Sequence, residues 1–336
     1  MNAFVARMPI RDRIAEAPPG LASGLRMHGG PDAHGIPHWD FSTNANACGP
    51  APIDWRDADP TRYPDPSYTA VRRALALHHG VDEMRIVIAA SASEFIARIS
   101  TAVALARPSA GVFIPRPCYG DYAAAALARG LREVERDAAT LVWHASPGSP
   151  LGRSTPLQLT PGAIHVVDRA YGPLTLQGDD PAPPEAAWQL WSPNKALGLT
   201  GVRGAYAIAP PHDAIAAPLE ALAPSWPLGA HAVLMLQAWT SPAVQGWLQA
   251  SLVTLRRWKT RQLALCASLG WQCEPSETPF HIARAPGLID RLPALRERGI
   301  KLRDAASMGL PGAVRLSVQP PEAQDALARA WMETIT

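Results

Sequence analysis

"RIVIAASASEFIARISTAVALA", residues 85–106, decides the fold class. A short apolar run comes first, a few small residues follow, and apolar residues then recur at helical spacing. This order predicts a buried strand, a tight turn and a helix. The stretch "AGVFIPRPCYGDYAAAALARG", residues 110–130, repeats it. Strands that alternate with helices predict an α/β domain whose mostly parallel sheet carries helices on both faces.

Further strands are predicted downstream, in "LREVER", "TLVWHASPGSP", "AIHVVDRAYGP" and "AAWQLWSPNK". From about Ala216 the pattern changes to helix-rich stretches with short strands, which indicates a smaller α+β domain. We therefore expect an N-terminal arm (1–40), a large domain (41–218) and a small C-terminal domain (219–336). Ligands of such folds bind beyond the carboxyl ends of the strands, so the polar residues there are the candidates for function.

The composition is that of an ordinary globular protein. The chain has 336 residues, a formal net charge of +2, 47% apolar residues and 18% charged residues. This balance gives no electrostatic footprint for a nucleic acid or an anionic membrane. The N-terminus lacks the apolar run of a secretory signal, and no stretch approaches the about 20 apolar residues that span a bilayer. We expect a cytoplasmic protein that acts on a small molecule.

The four cysteines, Cys48, Cys118, Cys266 and Cys273, do not form a CxxC pair. No histidine stands near them at the spacing of a zinc finger. We therefore expect reduced thiols and no metal site.

Several polar residues follow the predicted strands. "SASE", residues 91–94, opens a helix with small residues whose free N–H groups can hold an anion, although an ordinary serine cap is favoured by roughly two to one. Tyr119 follows another strand, where it can stack on a planar ring or simply pack in the core. Asp168 ends an apolar strand, where a carboxylate is costly unless it meets a cation or a hydrogen-bond donor.

The segment "WSPNKALGLTGVRGAY", residues 191–206, adds Ser192, Lys195 and Arg203 to this set. Together these residues supply an anion cradle, an aromatic face, a carboxylate, an amine and a guanidinium group. Pyridoxal phosphate needs the same groups for its phosphate, its ring, its pyridinium nitrogen and its aldehyde.

The chain resembles the fold-type I pyridoxal-phosphate enzymes over nearly its whole length, in the branch of histidinol-phosphate aminotransferases and the threonine-phosphate decarboxylases of cobalamin synthesis. "SPNKALGLTGVRGAY" is similar to the family's lysine segment, and "VDRAYG" is similar to its Asp-Glu-Ala-Tyr segment. The resemblance implies an aspartate-aminotransferase-like fold, in which a large domain with a mostly parallel seven-stranded sheet is followed by a small α+β domain. It also implies pyridoxal 5'-phosphate as the cofactor and a homodimer with shared active sites.

The same match implies a role for each residue. Lys195 forms the Schiff base with the cofactor, Asp168 pairs with its pyridinium nitrogen, and Tyr171 donates to its ring hydroxyl. "PCYGDY" is similar to a segment whose tyrosine, here Tyr119, stacks on the ring. "RYPDPSY" is similar to one whose tyrosine, here Tyr63, reaches the phosphate in the neighbouring subunit. The other residues implied to bind the cofactor are Ser91, Ala92, Ser93, Ser149, Ser192 and Arg203.

Two C-terminal segments bear on the substrate. "VRLSVQPPEAQDAL" resembles a motif whose arginine, here Arg315, grips the substrate carboxylate, although a surface arginine at a strand end is the alternative. "GIKLRDAA" resembles a segment whose arginine, here Arg303, contacts a phosphate or acidic group. "MHGG" followed by "HWDFSTNANACGPAP" is similar to the threonine-phosphate decarboxylase pattern. That similarity adds three residues to the expected substrate site, namely His28, Gly30 and Asn46.

Some positions depart from the family pattern. Ser149 stands where an asparagine usually donates to the ring hydroxyl, Arg169 replaces the glutamate of Asp-Glu-Ala-Tyr, and Asn194 replaces the hydroxyl residue before the lysine. The glycines of the phosphate loop are replaced by Ala89, Ala90 and Ser91. These changes leave the cofactor residues in place but put catalytic efficiency in question.

The first functional expectation is decarboxylation of threonine phosphate to (R)-1-amino-2-propanol phosphate for cobalamin. The first alternative is an aminotransferase of the histidinol-phosphate type or for another amino acid. The second is a catalytically degenerate homologue that still binds the cofactor. A nicotinamide enzyme is poorly supported, because no GxGxxG motif opens the first helix.

Overall fold

The computed structural model of the protein describes residues 28–179 and 181–334. The arm expected over residues 1–40 therefore lies largely outside the described residues, as does Met27 of the "MHGG" segment. Within the two described ranges, no helix is both long and apolar enough to cross a bilayer.

Helices and strands alternate in the first part of the chain, whereas between residues 132 and 208 five strands follow one another without an α-helix. The strands are β1 (Trp39–Asp40), β2 (Ile86–Ala89), β3 (Gly111–Phe113), β4 (Arg132–Glu133), β5 (Leu141–Ala145), β6 (Ile164–Asp168), β7 (Trp188–Trp191), β8 (Ala205–Ile208), β9 (Gln272–Cys273), β10 (Phe280–Arg284), β11 (Ile300–Lys301), β12 (Arg303–Asp304) and β13 (Val314–Ser317). The α-helices are α1 (Thr69–His79), α2 (Ala92–Ala106), α3 (Asp121–Ala128), α4 (Ala216–Ala221), α5 (Ala230–Trp239), α6 (Pro242–Ser268), α7 (Leu292–Glu297) and α8 (Pro321–Glu333). Short 3-10 helices cover Trp55–Asp57, Glu83–Arg85, Arg136–Ala138, Gly172–Leu174 and Ala306–Met308.

The large sheet has seven strands in the order β2-β8-β7-β6-β5-β3-β4. Only β8 runs antiparallel to its neighbours, β2 and β7, and every other pair is parallel. This confirms the mostly parallel seven-stranded sheet. The strand predicted in "LREVER" shrinks to the two residues of β4, both exposed, because β4 is an edge strand that pairs only with β3.

Both faces of the large sheet are buried, because its strands are apolar at successive positions. In β2, Val87 and Ala89 face the core under α2 and α3. Ile86 and Ile88 of the same strand face the opposite core, under α1 and α5. Such a sheet exposes functional side chains only at its ends.

A smaller antiparallel sheet, in the order β12-β13-β10-β9, follows in the C-terminal part. The long helix α6 connects the cores of the two sheets. Its Leu248, Leu252 and Leu255 pack in the core of the large sheet, whereas Cys266 near its end packs against the small sheet. The "TPFHIARA" and "AVRLSVQ" segments form β10 and β13, as the sequence predicts.

The segment 39–51 joins the small sheet to the turn that follows β7. The Phe41 carbonyl oxygen accepts a hydrogen bond from the Ser317 N–H group at 2.8 Å. Further along, the Asn46 N–H group donates to the Lys195 carbonyl oxygen at 2.9 Å. Gly198 lies in the same turn at φ +67°, and a Cβ atom there would stand 2.6 Å from the Gly49 carbonyl oxygen. The turn therefore keeps its shape only with glycine at this position.

Replacing Gly198 by alanine should destabilise the protein more than the same change at Gly130. Gly130 has a similar φ of +70°, but a Cβ atom added there would meet no other atom within 4 Å. Both variants carry the left-handed penalty of about 1–2 kcal/mol. Only Gly198→Ala adds the backbone clash, which costs a further ~1–3 kcal/mol in unfolding free energy measured with urea. Equal losses in the two variants would contradict the close approach.

Candidate active site

A cavity of about 300 Å³ lies beyond the carboxyl ends of the central strands. Residues that follow β5, β6 and β7 form its floor, and residues of β12 and β13 close it from the small sheet. The segment that contains His28, the segment after β1 and the starts of α2 and α3 also line it. The cavity thus lies where the sequence places the polar ends of the strands.

Asp168 is the last residue of β6 and is buried at the cavity wall. Its carboxylate accepts hydrogen bonds from the Tyr122 hydroxyl at 2.7 Å and from the Ala170 N–H group at 2.9 Å. These two donors offset the cost of burying the carboxylate. Burial, together with the Asp168 charge, raises the pKa of Tyr122 well above its ordinary value, so its hydroxyl remains a donor. Sequence reasoning missed Tyr122, although it stands three residues after Tyr119 at the start of α3.

Lys195 lies in the turn after β7 and is half-buried. Its Nζ atom is 3.4 Å from Ser192 Oγ and 5.5 Å from the centre of the Tyr171 ring. Ser192 donates to Asn194 Oδ1 at 2.9 Å, and Asn194 Nδ2 donates to the Val202 carbonyl oxygen at 3.3 Å. Asn194 therefore closes the turn by binding its backbone, which accounts for an amide in place of the family's hydroxyl residue.

The N-terminus of α2 also lines the cavity. Ser91 caps this helix by accepting a hydrogen bond from the Glu94 N–H group at 3.1 Å, and it does not line the cavity. Its side chain thus has the capping role that the sequence favours. Ala92 and Ser93 do line the cavity, where the helix presents free N–H groups. Arg203 is exposed at the same wall.

Two tyrosines, Tyr119 and Tyr171, also line the cavity. Tyr119 donates to Asp121 Oδ2 at 2.7 Å, and its hydroxyl is 3.2 Å from Ser93 Oγ. Burial and the nearby Asp121 carboxylate raise the pKa of Tyr119 above its ordinary range. Tyr171 packs edge-on against Phe280, with ring centres 4.7 Å apart.

Arg315 and Arg303 are directly opposite each other on the paired strands β13 and β12. Arg315 is buried and donates to Ser149 Oγ at 2.9 Å and to the Ser42 carbonyl oxygen at 2.8 Å. Arg303 is also buried and donates to Ser307 Oγ at 2.8 Å. Burial and the charge of Arg315 lower the pKa of Arg303 to about 10. Burial likewise lowers the pKa of Arg315. A surface role for Arg315 is therefore wrong.

The charges around the cavity are strongly unbalanced. Among the described residues that line it, Asp168 is the one carboxylate, against four side chains that carry a full positive charge. These are Lys195, Arg203, Arg303 and Arg315. Like charges on opposed residues of paired strands repel each other, so the arrangement favours a ligand with more than one anionic group.

Besides Ser91, three residues expected in the site lie outside the cavity. Tyr63 is 78% exposed and stacks on Trp226 with ring centres 4.4 Å apart. The Gly30 N–H group donates to Ser42 Oγ at 2.9 Å, while its neighbour Gly29 lines the cavity instead. Asn46 stabilises the turn that carries Lys195, because its Nδ2 group donates to the Ala196 carbonyl oxygen at 3.0 Å.

His28 does line the cavity, with its ring centre 6.1 Å from that of Tyr119 and its Nε2 atom 3.9 Å from the Asp121 carboxylate. Arg169, which replaces the glutamate of the family's Asp-Glu-Ala-Tyr segment, is buried and donates to the Ser146 carbonyl oxygen at 3.0 Å. Its side chain therefore stabilises the wall of the cavity and does not line it.

Sequence reasoning also missed the residues after β1 that line the cavity. Asn44 Nδ2 is 3.4 Å from the Tyr171 hydroxyl, and Asn44 Oδ1 is buried without a hydrogen-bond partner among the described residues. An orphaned buried acceptor beside Tyr171 fits a ligand that brings its own polar atoms. Ser42, Thr43, Ser307 and Met308 also line the cavity and were not predicted from the sequence.

Comparisons with known proteins identify the family of the chain. Residues 123–330 match the family described as aminotransferase class I and II. The histidinol-phosphate aminotransferase of Rhodospirillum rubrum is 28% identical over 86% of this chain and 88% of its own length. Histidinol-phosphate aminotransferase 1 of Thiobacillus denitrificans is 26% identical over 83% of this chain and 80% of its own.

Solved structures share the fold. A histidinol-phosphate aminotransferase from Sinorhizobium meliloti, solved with pyridoxal-5'-phosphate, has a TM-score of 0.78 at 23% identity and covers 99% of this chain and 98% of its own. The L-threonine-O-3-phosphate decarboxylase of Porphyromonas gingivalis has a TM-score of 0.68 at 21% identity, with 82% and 91% covered.

The fold and the site therefore define a pyridoxal-phosphate enzyme with the aspartate-aminotransferase-like architecture. The family match covers more than half of the chain, and the protein belongs to the aminotransferase class I and II family.

Inorganic phosphate should stabilise the cofactor-loaded protein through Arg303. At about ten times its dissociation constant, a ligand raises the free energy of unfolding by ~1.4 kcal/mol. We expect Arg303→Gln to lose most of this gain in thermal unfolding, because phosphate then meets one buried arginine rather than two. Arg284→Gln is the matched control, since Arg284 lies on β10 outside the cavity and pairs with Glu274. An undiminished gain in Arg303→Gln would contradict the anion site.

Proposed function

We propose that the protein acts on a small phosphorylated amino acid and that its reaction is the decarboxylation of O-phosphothreonine to (R)-1-amino-2-propanol phosphate, a step of cobalamin synthesis. The observation that carries the proposal is the convergence of two buried arginines, Arg303 and Arg315, with His28 and Gly29 on one cavity. O-Phosphothreonine carries two anionic groups, a carboxylate and a phosphate, and thus suits two arginines. His28 and Gly29 belong to the segment that resembles the decarboxylases.

The residues around the cavity fit the cofactor. We assign Lys195 as its attachment point, Asp168 as the partner of its ring nitrogen and Tyr171 as the donor to its ring oxygen. Tyr119 would stack on its ring. Its phosphate would lie at the N-terminus of α2, held by Ala92, Ser93, Ser192 and Arg203. Bound there, pyridoxal phosphate supplies an electron sink for the bond that breaks at the substrate Cα atom.

The protein's own residues would then orient the substrate. Arg315 is fixed by Ser149 and Ser42, so a carboxylate bound to it has a defined position. Arg303 would bind the phosphate and thereby limit rotation about the Cα atom. The Lys195 amine would be placed to carry a proton to or from the Cα atom of the substrate. Ser149 accepts from Arg315, and its hydroxyl proton would remain available for donation to the ring oxygen of the cofactor.

A second candidate is an aminotransferase of the histidinol-phosphate type. It is favoured by the sequence relatives from Thiobacillus denitrificans and Rhodospirillum rubrum, which carry that name. Arg303 would serve this substrate equally well, because histidinol phosphate also bears a phosphate. The two candidates differ in the bond that is broken at Cα.

We also propose a homodimer with shared active sites. Tyr63 and Trp226 form an exposed aromatic pair that lies outside the cavity of their own chain. A partner subunit packed on this pair would bring Tyr63 to the phosphate end of its neighbour's cavity.

Lys195→Ala should abolish the covalent attachment of the cofactor. Borohydride reduction of the wild-type protein should add one pyridoxyl-phosphate group, the cofactor less water plus two hydrogens, to the peptide that contains Lys195 and remove the visible absorbance band. Lys259 and Lys301, the other two lysines, provide internal controls and should remain unmodified. Attachment at either of them, or a band that persists in Lys195→Ala, would overturn the assignment.

Incubation of the holoenzyme with O-phosphothreonine distinguishes the candidate reactions. We expect CO₂ release without an amino acceptor, and a loss of activity with threonine, which lacks the phosphate for Arg303. Production of a keto compound only when an acceptor is added would establish the aminotransferase instead. The absence of both products from O-phosphothreonine would overturn the decarboxylase. If histidinol phosphate with an amino acceptor also gives no product, from protein that retains bound cofactor, both candidates are overturned and a catalytically degenerate homologue is indicated.

A further inference from the structure

Two cysteines and a histidine come together far from the cavity. Cys266 lies near the end of α6, Cys273 ends β9, and His281 lies on β10. The two sulfur atoms and one ring nitrogen of His281 all lie within 4.8 Å of one another. None of the three residues lines the active-site cavity. The cluster is therefore independent of the chemistry described above.

His281 is the unusual member of the cluster. Its side chain is fully buried, and apart from the nearby thiols neither of its ring nitrogens has a hydrogen-bond partner among the described residues. Buried polar groups in native proteins are almost always satisfied, because an unmade hydrogen bond leaves the full desolvation cost. An imidazole whose polar neighbours are two thiols points to a ligand that the three groups share.

We propose that Cys266, Cys273 and His281 bind one thiophilic cation, a zinc ion, at a structural site in the small domain. Thiolate sulfur and imidazole nitrogen are the preferred ligands of zinc, with bonds of about 2.3 Å and 2.0 Å. A tetrahedral zinc site separates its ligand atoms by about 3.5–3.8 Å. The two sulfur atoms and the ring nitrogen therefore need to move only slightly closer together to bind the ion. Binding releases the thiol protons to solvent, and the neutral histidine donates a lone pair.

The local fold brings the ligands together. The Trp271 N–H group donates to the Cys266 carbonyl oxygen at 2.9 Å, which turns the chain from α6 back into β9. Cys273 pairs with Ala283 across the strands, and His281 shares a sheet face with Ala283 because it lies two residues away. Cys273 is half-buried, so a water molecule can reach the fourth position.

The site revises the expectation from sequence that the protein binds no metal. Six residues separate the cysteines and seven separate Cys273 from His281. This spacing lacks the short CxxC or HxxxH unit of zinc fingers. Only the pairing of β9 with β10 and their packing on α6 bring the three groups together. A zinc ion would tie these elements together beside β13, the strand that carries Arg315.

The test is the metal content of the cofactor-loaded protein, purified under reducing conditions and dialysed against added zinc. We expect about one tightly bound zinc ion per chain, and with cobalt in its place a thiolate-to-cobalt absorbance band. Cys273→Ser should weaken zinc binding by more than about 100-fold. Cys48→Ser is the matched control, a half-buried thiol outside the cluster, and should bind zinc like the wild-type protein.

Several results would overturn the proposal. One is wild-type protein that takes up cobalt without thiolate absorbance, a measurement that does not depend on whether a variant folds. Another is zinc that is retained equally by Cys273→Ser. A third is a mass two hydrogens below that of the reduced chain, with Cys266 linked to Cys273, because a disulfide leaves no thiolates for the metal. None of these results would affect the assignment of the active site, because the cluster does not line the cavity.

Discussion

The buried guanidinium group of Arg315 is the interaction on which the site depends. It extends from β13 of the small sheet and donates to Ser42 in the segment after β1 and to Ser149 in the loop after β5. A buried cation is tolerated only where donors find partners and an anion is near. The three parts of the chain that surround the cavity are therefore held in one arrangement by the same group that is proposed to bind the substrate carboxylate.

Among the described residues, one side chain supplies the negative charge of the cavity lining. Of the described residues that line the cavity, Asp168 alone is a carboxylate, and Tyr122 and Ala170 satisfy it with their own donors. The lining therefore carries more positive charge, on Lys195 and the arginines, than negative charge. A cofactor phosphate and an anionic substrate would balance it, so the electrostatics of the cavity favour binding of both.

The sequence predicts the features that are local in the chain. The strands, the helix starts and the polar residues at strand ends follow from patterns a few residues long, and Lys195 and Asp168 are identified in this way. Residues whose role comes from long-range packing are missed. Tyr122 matters because α3 brings it to Asp168, and Asn44 because the segment after β1 crosses the cavity. For the same reason, the sequence places Asn46 in the site although it stabilises the turn that carries Lys195.

The backbone also constrains the choice of substrate. Arg303 and Arg315 are opposed on paired strands, so their Cα atoms are held about 4.5–5.5 Å apart by the ladder rather than by a mobile loop. The two anion sites therefore have a nearly fixed separation. A substrate with its carboxylate and phosphate a few bonds apart can reach both, which fixes the orientation of its Cα substituents. A substrate that reaches only one arginine keeps rotational freedom at Cα, and the bond that breaks is then set by other contacts. The separation of these two arginines thus favours a substrate with two anionic groups close together, whichever bond at its Cα atom is broken.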